Sequence, residues 1–117
     1  MPQITLYGIP NCDIVKKARR WLDQRQVVYQ FHDFRKDGLS PAQVKAWLSR
    51  HEWEALVNKR GRTWRDLSEQ EKQVSNTTQA ITLCCKYPTL IKRPVLVSSK
   101  HIVIGFDPDN YATLFPA

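Results

Sequence analysis

No acidic residue occurs between Lys72 and Phe106 of this 117-residue sequence. Glycine is scarce at 4 residues, so collagen-like and low-complexity characters are excluded. No apolar run approaches the ~18–20 residues that cross a bilayer. Cysteine is scarce as well. Three residues cannot pair fully, and neither Cys-x-x-Cys nor a Cys/His grouping of zinc-finger spacing is present. A disulfide framework and a structural zinc site are thereby excluded. The first residues, Met-Pro-Gln-Ile-Thr-Leu-Tyr, lack the basic start and long apolar stretch of a secretory signal. A soluble, cytoplasmic protein with no membrane partner is expected.

What is present fits one α/β domain over residues 1–117. Hydrophobic residues make up 42% and charged residues 25%, enough for one core. Lys and Arg number 18 against 11 Asp and Glu, a net charge of +7. Such a field attracts small anions, glutathione or nucleic acid, and does not choose among them.

Ile4–Tyr7 reads as a buried strand, and Gly8-Ile9-Pro10-Asn11 breaks it, with Asn as a capping residue. From Cys12 the period becomes helical, with Ile14, Val15, Ala18, Trp21 and Leu22 on one stripe to about Gln24. Val27–Phe34 is the next strand, parallel to the first because a helical crossover joins them. Ser40-Pro41-Ala42-Gln43 and Ser68-Glu69-Gln70-Glu71 both carry the capping-box pattern of a helix start. Asn76 caps a further helix through Lys86, with Ala80, Ile81 and Cys84 on one face. Val95–Ser98 and His101–Ile104 form a hairpin about Ser99-Lys100, and Asp107-Pro108 starts a last helix with Tyr111, Leu114 and Phe115 inward. Strand, helix, strand, helical stretch, hairpin, helix is the thioredoxin arrangement. The expected fold is a mixed four-stranded sheet flanked by helices, with a helical insertion at about 40–87.

Cys12 stands where a strand passes into a helix. Free backbone N–H groups and the positive end of the helix dipole favour a thiolate there, and Lys16 lies one turn on. Asp13 opposes a second anion. Cys84 falls on an apolar helical face and reads as core, and Cys85 is its neighbour on a different side. Arg93-Pro94 precedes a strand, where proline is tolerated. Asn58-Lys59-Arg60-Gly61-Arg62-Thr63-Trp64-Arg65 is basic with one aromatic. One tryptophan and no established motif make direct nucleic-acid binding a minority reading.

These residues resemble the ArsC family, which includes arsenate reductases and the Spx-type transcription regulators. The likeness runs along nearly the whole chain. It includes Ile4-Thr5-Leu6-Tyr7 followed by Pro10-Asn11-Cys12, the spacing to Lys16, and Trp53-Glu54-Ala55-Leu56-Val57-Asn58. It ends in Tyr87-Pro88-Thr89-Leu90-Ile91-Lys92-Arg93-Pro94. The run from Leu56 to Arg65 is similar to that of the bacterial YffB-type subgroup. The resemblance implies a thioredoxin-like fold, Cys12 as nucleophile and Arg93-Pro94 beside it; Asn11, Lys16, Arg60, Arg93 and Pro94 are the expected glutathione-binding residues. It also implies a cis bond before Pro94. Of the three arginines that family arsenate reductases place around the oxyanion, Arg93 matches. Asn58 stands at the second position, and Ile104-Gly105-Phe106 covers the third, so weak or absent arsenate reduction is expected. The Spx-type Cys-x-x-Cys switch has Val15 in its second place. The expected protein is a monothiol oxidoreductase with no bound cofactor, glutathione as co-substrate and glutaredoxin as a partner. The alternative is a regulator that binds RNA polymerase.

Overall fold

The computed structural model describes residues 3–116. The chain forms β1 (Thr5–Gly8), α1 (Asp13–Gln24), β2 (Gln30–Asp33), α2 (Pro41–Trp47), α3 (Trp53–Leu56), α4 (Arg62–Arg65) and α5 (Thr77–Lys86). A 3₁₀ turn (Pro88–Leu90), β3 (Val95–Val97), β4 (Ile102–Ile104) and α6 (Pro108–Leu114) follow. Its strands make one mixed sheet in the order β2-β1-β3-β4. β1 is parallel to β2, Leu6 facing Phe31, and antiparallel to β3, Leu6 facing Leu96. β3 and β4 are antiparallel about the expected Ser99-Lys100 turn, closed by the Ser98 N–H donating to His101 O at 2.8 Å. This is the sheet and element order expected from the sequence.

The chain divides into two compact units. Gly38–Lys92 is one, and the residues up to Asp37 together with those from Arg93 onward are the other. The second unit holds the sheet. Ile4, Leu6 and Leu96 pack there with Ala18 and Leu22 of α1 and Tyr111 of α6. A wholly buried leucine contributes about 1.5–3 kcal/mol relative to exposure, so Leu6, Leu22 and Leu96 anchor this layer. The Tyr111 ring meets Trp21 and Phe106 edge-on at 5.6 and 4.8 Å between centroids. This is the favourable arrangement of two ring quadrupoles.

Strand β2 is shorter than the expected Val27–Phe34. The chain leaves α1 through Gln26 at φ 60° and joins the sheet only where the Gln30 N–H donates to Ile4 O at 2.8 Å. Val27, Tyr29 and Phe31 nevertheless pack on the core face, as their alternation requires, while Val28 is 83% exposed.

Within Gly38–Lys92, Ser40 and Gln43 complete a reciprocal capping box at α2. The pattern at 68–71 behaves differently. Ser68 and Glu71 exchange the box hydrogen bonds at 3.1 Å, yet turns follow and no helix. The second oxygen of Glu71 accepts instead from Tyr87 Oη at 2.9 Å and Lys86 Nζ at 3.3 Å, which ties the turn to the end of α5. The next helix starts at Asn76, whose side chain accepts from Gln79 N. Val57 bridges to Ile91, flanked by Asn58 N to Leu90 O and Lys92 N to Leu56 O, each 2.8 Å. Among the described residues no helix is long and apolar enough to cross a membrane.

Candidate functional site at the head of the first helix

Beyond β1 the chain turns through Ile9-Pro10-Asn11-Cys12, closed by the Cys12 N–H donating to Ile9 O at 3.2 Å. Proline suits the second place of such a turn because its φ is already set. Asn11 takes the third place and is exposed. The helix cap is therefore Cys12 itself, with Asn11 a turn residue and not the cap. Cys12 has extended φ and ψ of −91° and 127°, and its carbonyl accepts the first helical bond from Lys16 N at 2.9 Å.

The sulfur of Cys12 caps nothing. The caps of α2, α5 and α6 (Ser40, Asn76 and Asp107) each accept a backbone N–H through a side-chain oxygen. Among the described helices of seven residues or more, α1 alone has no such bond. The first amides of α1 thus face a half-buried thiol that is free to react, at the end where the dipole favours negative charge. Asp13 lies in that first turn, and Lys16 is exposed one turn on.

Gly8 and Val15 set how closely this helix start approaches the sheet. A Cβ at Gly8 would meet Val15 Cγ2 at 2.9 Å, so only glycine lets α1 approach that near. Val15 is wholly buried. The place three residues after the thiol, where a second cysteine would complete a dithiol, faces the core.

Arg93 and Pro94 reach the same end of the sheet from β3. The register pairs Tyr7 with Val95, so the residues before Val95 lie beside the end of β1. The Arg93–Pro94 bond is cis, as expected, and Pro94 O accepts from Gly105 N at 2.8 Å. Pro94 is buried and Arg93 half-buried. Cys12, Asn11, Lys16, Arg93 and Pro94 thus gather at one end of one unit. Arg60 belongs to the Gly38–Lys92 unit, in the turn between α3 and α4, where its N–H donates to Asn58 Oδ1 at 3.0 Å.

The other thiols are placed against chemistry. Cys84 and Cys85 sit in the last turn of α5. Cys84 is wholly buried, and burial, with Cys85 beside it, pushes its thiol up to about 12. Burial also raises Cys85. One grouping escaped the sequence reading. Lys59 Nζ lies over the rings of both Trp53 and Trp64, at 5.4 and 5.3 Å from the centroids. The basic run contains Trp64 only, and no periodicity links it to Trp53 across two helices and a turn.

The sequence matches the ArsC family over residues 7–114. An uncharacterised protein of Haemophilus influenzae is 42% identical over 112 residues, covering 96% of this chain and 98% of that protein. The global transcriptional regulator Spx of Streptococcus mutans is 30% identical over 115 residues, covering 97% of this chain and 83% of the regulator. Among solved structures, the YffB protein superposes with a TM-score of 0.93 at 40% identity, covering 97% of this chain and 99% of that one. With its mixed four-stranded sheet, the chain belongs to the ArsC family, thioredoxin-like in fold and of the YffB-type subgroup.

Proposed function

We propose that the protein is a monothiol, glutathione-dependent thiol oxidoreductase with Cys12 as its nucleophile. The observation that carries this reading is the Cys12 sulfur at the head of α1, half-exposed and bound to no backbone amide. In the reaction the Cys12 thiolate attacks one sulfur of an acceptor disulfide. A Cys12–acceptor disulfide forms, and the other half leaves as a thiolate. A glutathione thiolate then attacks the acceptor sulfur, which leaves on glutathione while Cys12 departs as the thiolate. Attack on the Cys12 sulfur instead gives a Cys12–glutathione disulfide, which a glutaredoxin thiolate resolves. Glutathione must release Cys12 because Val15 occupies the place of a local second thiol.

Arg93 and Lys16 supply positive charge for the carboxylates of glutathione. The test is the rate at which oxidised glutathione modifies Cys12, followed by mass spectrometry. Cys12→Ser abolishes the adduct at this position. Arg93→Ala slows its formation about tenfold, more than Arg60→Ala, because Arg93 is fixed next to the buried Pro94 while Arg60 is on a turn. Unchanged rates in both arginine variants would overturn the assignment of the cationic residues. Arsenate turnover is expected to be weak, since Asn58 holds the Arg60 amide where the family's second arginine belongs.

A second reading follows from the 30% identity to the Spx regulator. In it the protein binds RNA polymerase without a dithiol switch, and Cys12→Ser leaves the binding intact. Co-purification of Cys12→Ser with polymerase, together with normal glutathionylation rates in Arg93→Ala, would favour this reading over the first.

A further inference from the structure

The Gly38–Lys92 unit carries a second grouping, built on one lysine and two tryptophans, that the thiol chemistry does not use. Lys59 lies over two half-buried indoles, Trp53 at the start of α3 and Trp64 on α4. Arg60, Arg62 and Arg65 follow it within six residues, all exposed. None of the three guanidinium groups makes an ion pair or hydrogen bond among the described residues. Arg62 and Arg65 are three apart on α4 and share a side of that helix. The Thr63 and Thr89 hydroxyls, 2.7 Å apart, fix α4 to the 3₁₀ turn, so the patch is held in place. The acids nearby in sequence are Glu52, Glu54 and Asp66, and none falls between Asn58 and Arg65.

We infer that this patch binds single-stranded nucleic acid. Each component has a use in that ligand and not in its rivals. Guanidinium groups alone serve a duplex or an acidic peptide equally well, and either leaves the two indoles idle. An unpaired strand offers phosphates to Arg60, Arg62 and Arg65 and free base faces to Trp53 and Trp64, which is how sequence-tolerant single-strand sites work. Lys59 holds the indole faces in the free protein. On binding, its ammonium moves to a phosphate and releases the rings to the bases. A lipid surface would require large apolar side chains standing clear of the protein, and among the described residues Val28, in the other unit, is the exposed one. The inference does not depend on the reading of Cys12.

The experiment is fluorescence anisotropy of the full chain with a labelled ten-residue uridine strand, a ten-base-pair duplex and a ten-residue polyglutamate. The single strand is expected to bind most tightly and to quench tryptophan emission. With four cations engaged, the log–log salt slope is expected to be about −3, roughly a 50-fold loss from 50 to 200 mM salt. Arg62→Gln and Arg65→Gln, both at exposed positions, are each expected to reduce that slope by about 0.7. Trp64→Leu is expected to weaken binding about tenfold and leave the slope unchanged. No saturable binding at 50 mM salt, equal affinity for duplex or polyglutamate, or an unaltered affinity in Trp64→Leu would each overturn the inference.

Discussion

Cys12 and Cys84 are the same side chain at opposite ends of helices, and their surroundings decide which is usable. Cys12 opens α1, half-exposed, with a side chain that makes no capping hydrogen bond. Cys84 lies in the closing turn of α5, wholly buried, where the dipole is negative and burial holds the proton on sulfur. On the proposed reading, reactivity comes from a place in the fold and not from the residue type. Alkylation gives the largest test. In native protein at neutral pH, iodoacetamide is expected to modify Cys12 at least about 100-fold faster than Cys84, and unfolding should erase the difference. Comparable native rates would remove the contrast.

Stability is expected to reverse the ranking. Cys84→Ser puts a hydroxyl among apolar side chains and is expected to cost about 1–3 kcal/mol in denaturant unfolding. Cys12→Asp supplies the capping oxygen that α1 lacks and is expected to stabilise by about 1 kcal/mol while abolishing thiol exchange. The counterpart is Asn76→Ala, which removes a working cap from α5 and is expected to lose about 1 kcal/mol. A destabilised Cys12→Asp would mean that the sulfur already supports the helix start.

The smallest effect concerns the brace at the end of α5. The Ser68 N–H, the Tyr87 hydroxyl and Lys86 hold the Glu71 carboxyl near 2, below the ordinary 4.5. A carboxylate lowered on folding stabilises fully above its unfolded value, and that contribution fades as pH falls from about 4.5 toward 2. Glu71→Gln is expected to flatten the stability profile in that window and leave neutral pH little changed. Parallel profiles for wild type and variant would show that the brace contributes nothing.

Much of this arrangement was legible in the residues. The switch of hydrophobic period at Cys12, the capping boxes and the parallel pairing of the first two strands follow from local rules that the fold obeys. The places of Cys12 and of Arg93-Pro94 in the fold also follow, because a strand-to-helix turn and a residue before a strand are positions a sequence can mark. Two things were not legible. Ser68 to Glu71 satisfies a helix-start pattern, but Glu71 finds partners on α5, and a pattern of four residues cannot register a contact fifteen residues away. The shared Lys59 of Trp53 and Trp64 depends on how two four-residue helices are turned toward each other, which tertiary packing sets.

The strand order has a consequence for synthesis. β1 is central, with β2 on one side and β3 on the other. Its first partner leaves the ribosome almost at once, and the other only after all of Gly38–Lys92 has been made. At ~5–20 residues per second, the inner edge of β1 and the apolar face of α1 wait several seconds without Leu96 and Tyr111 to cover them. Cys12 is therefore made early and housed late. During that interval its thiol is as open as any in an unfolded chain.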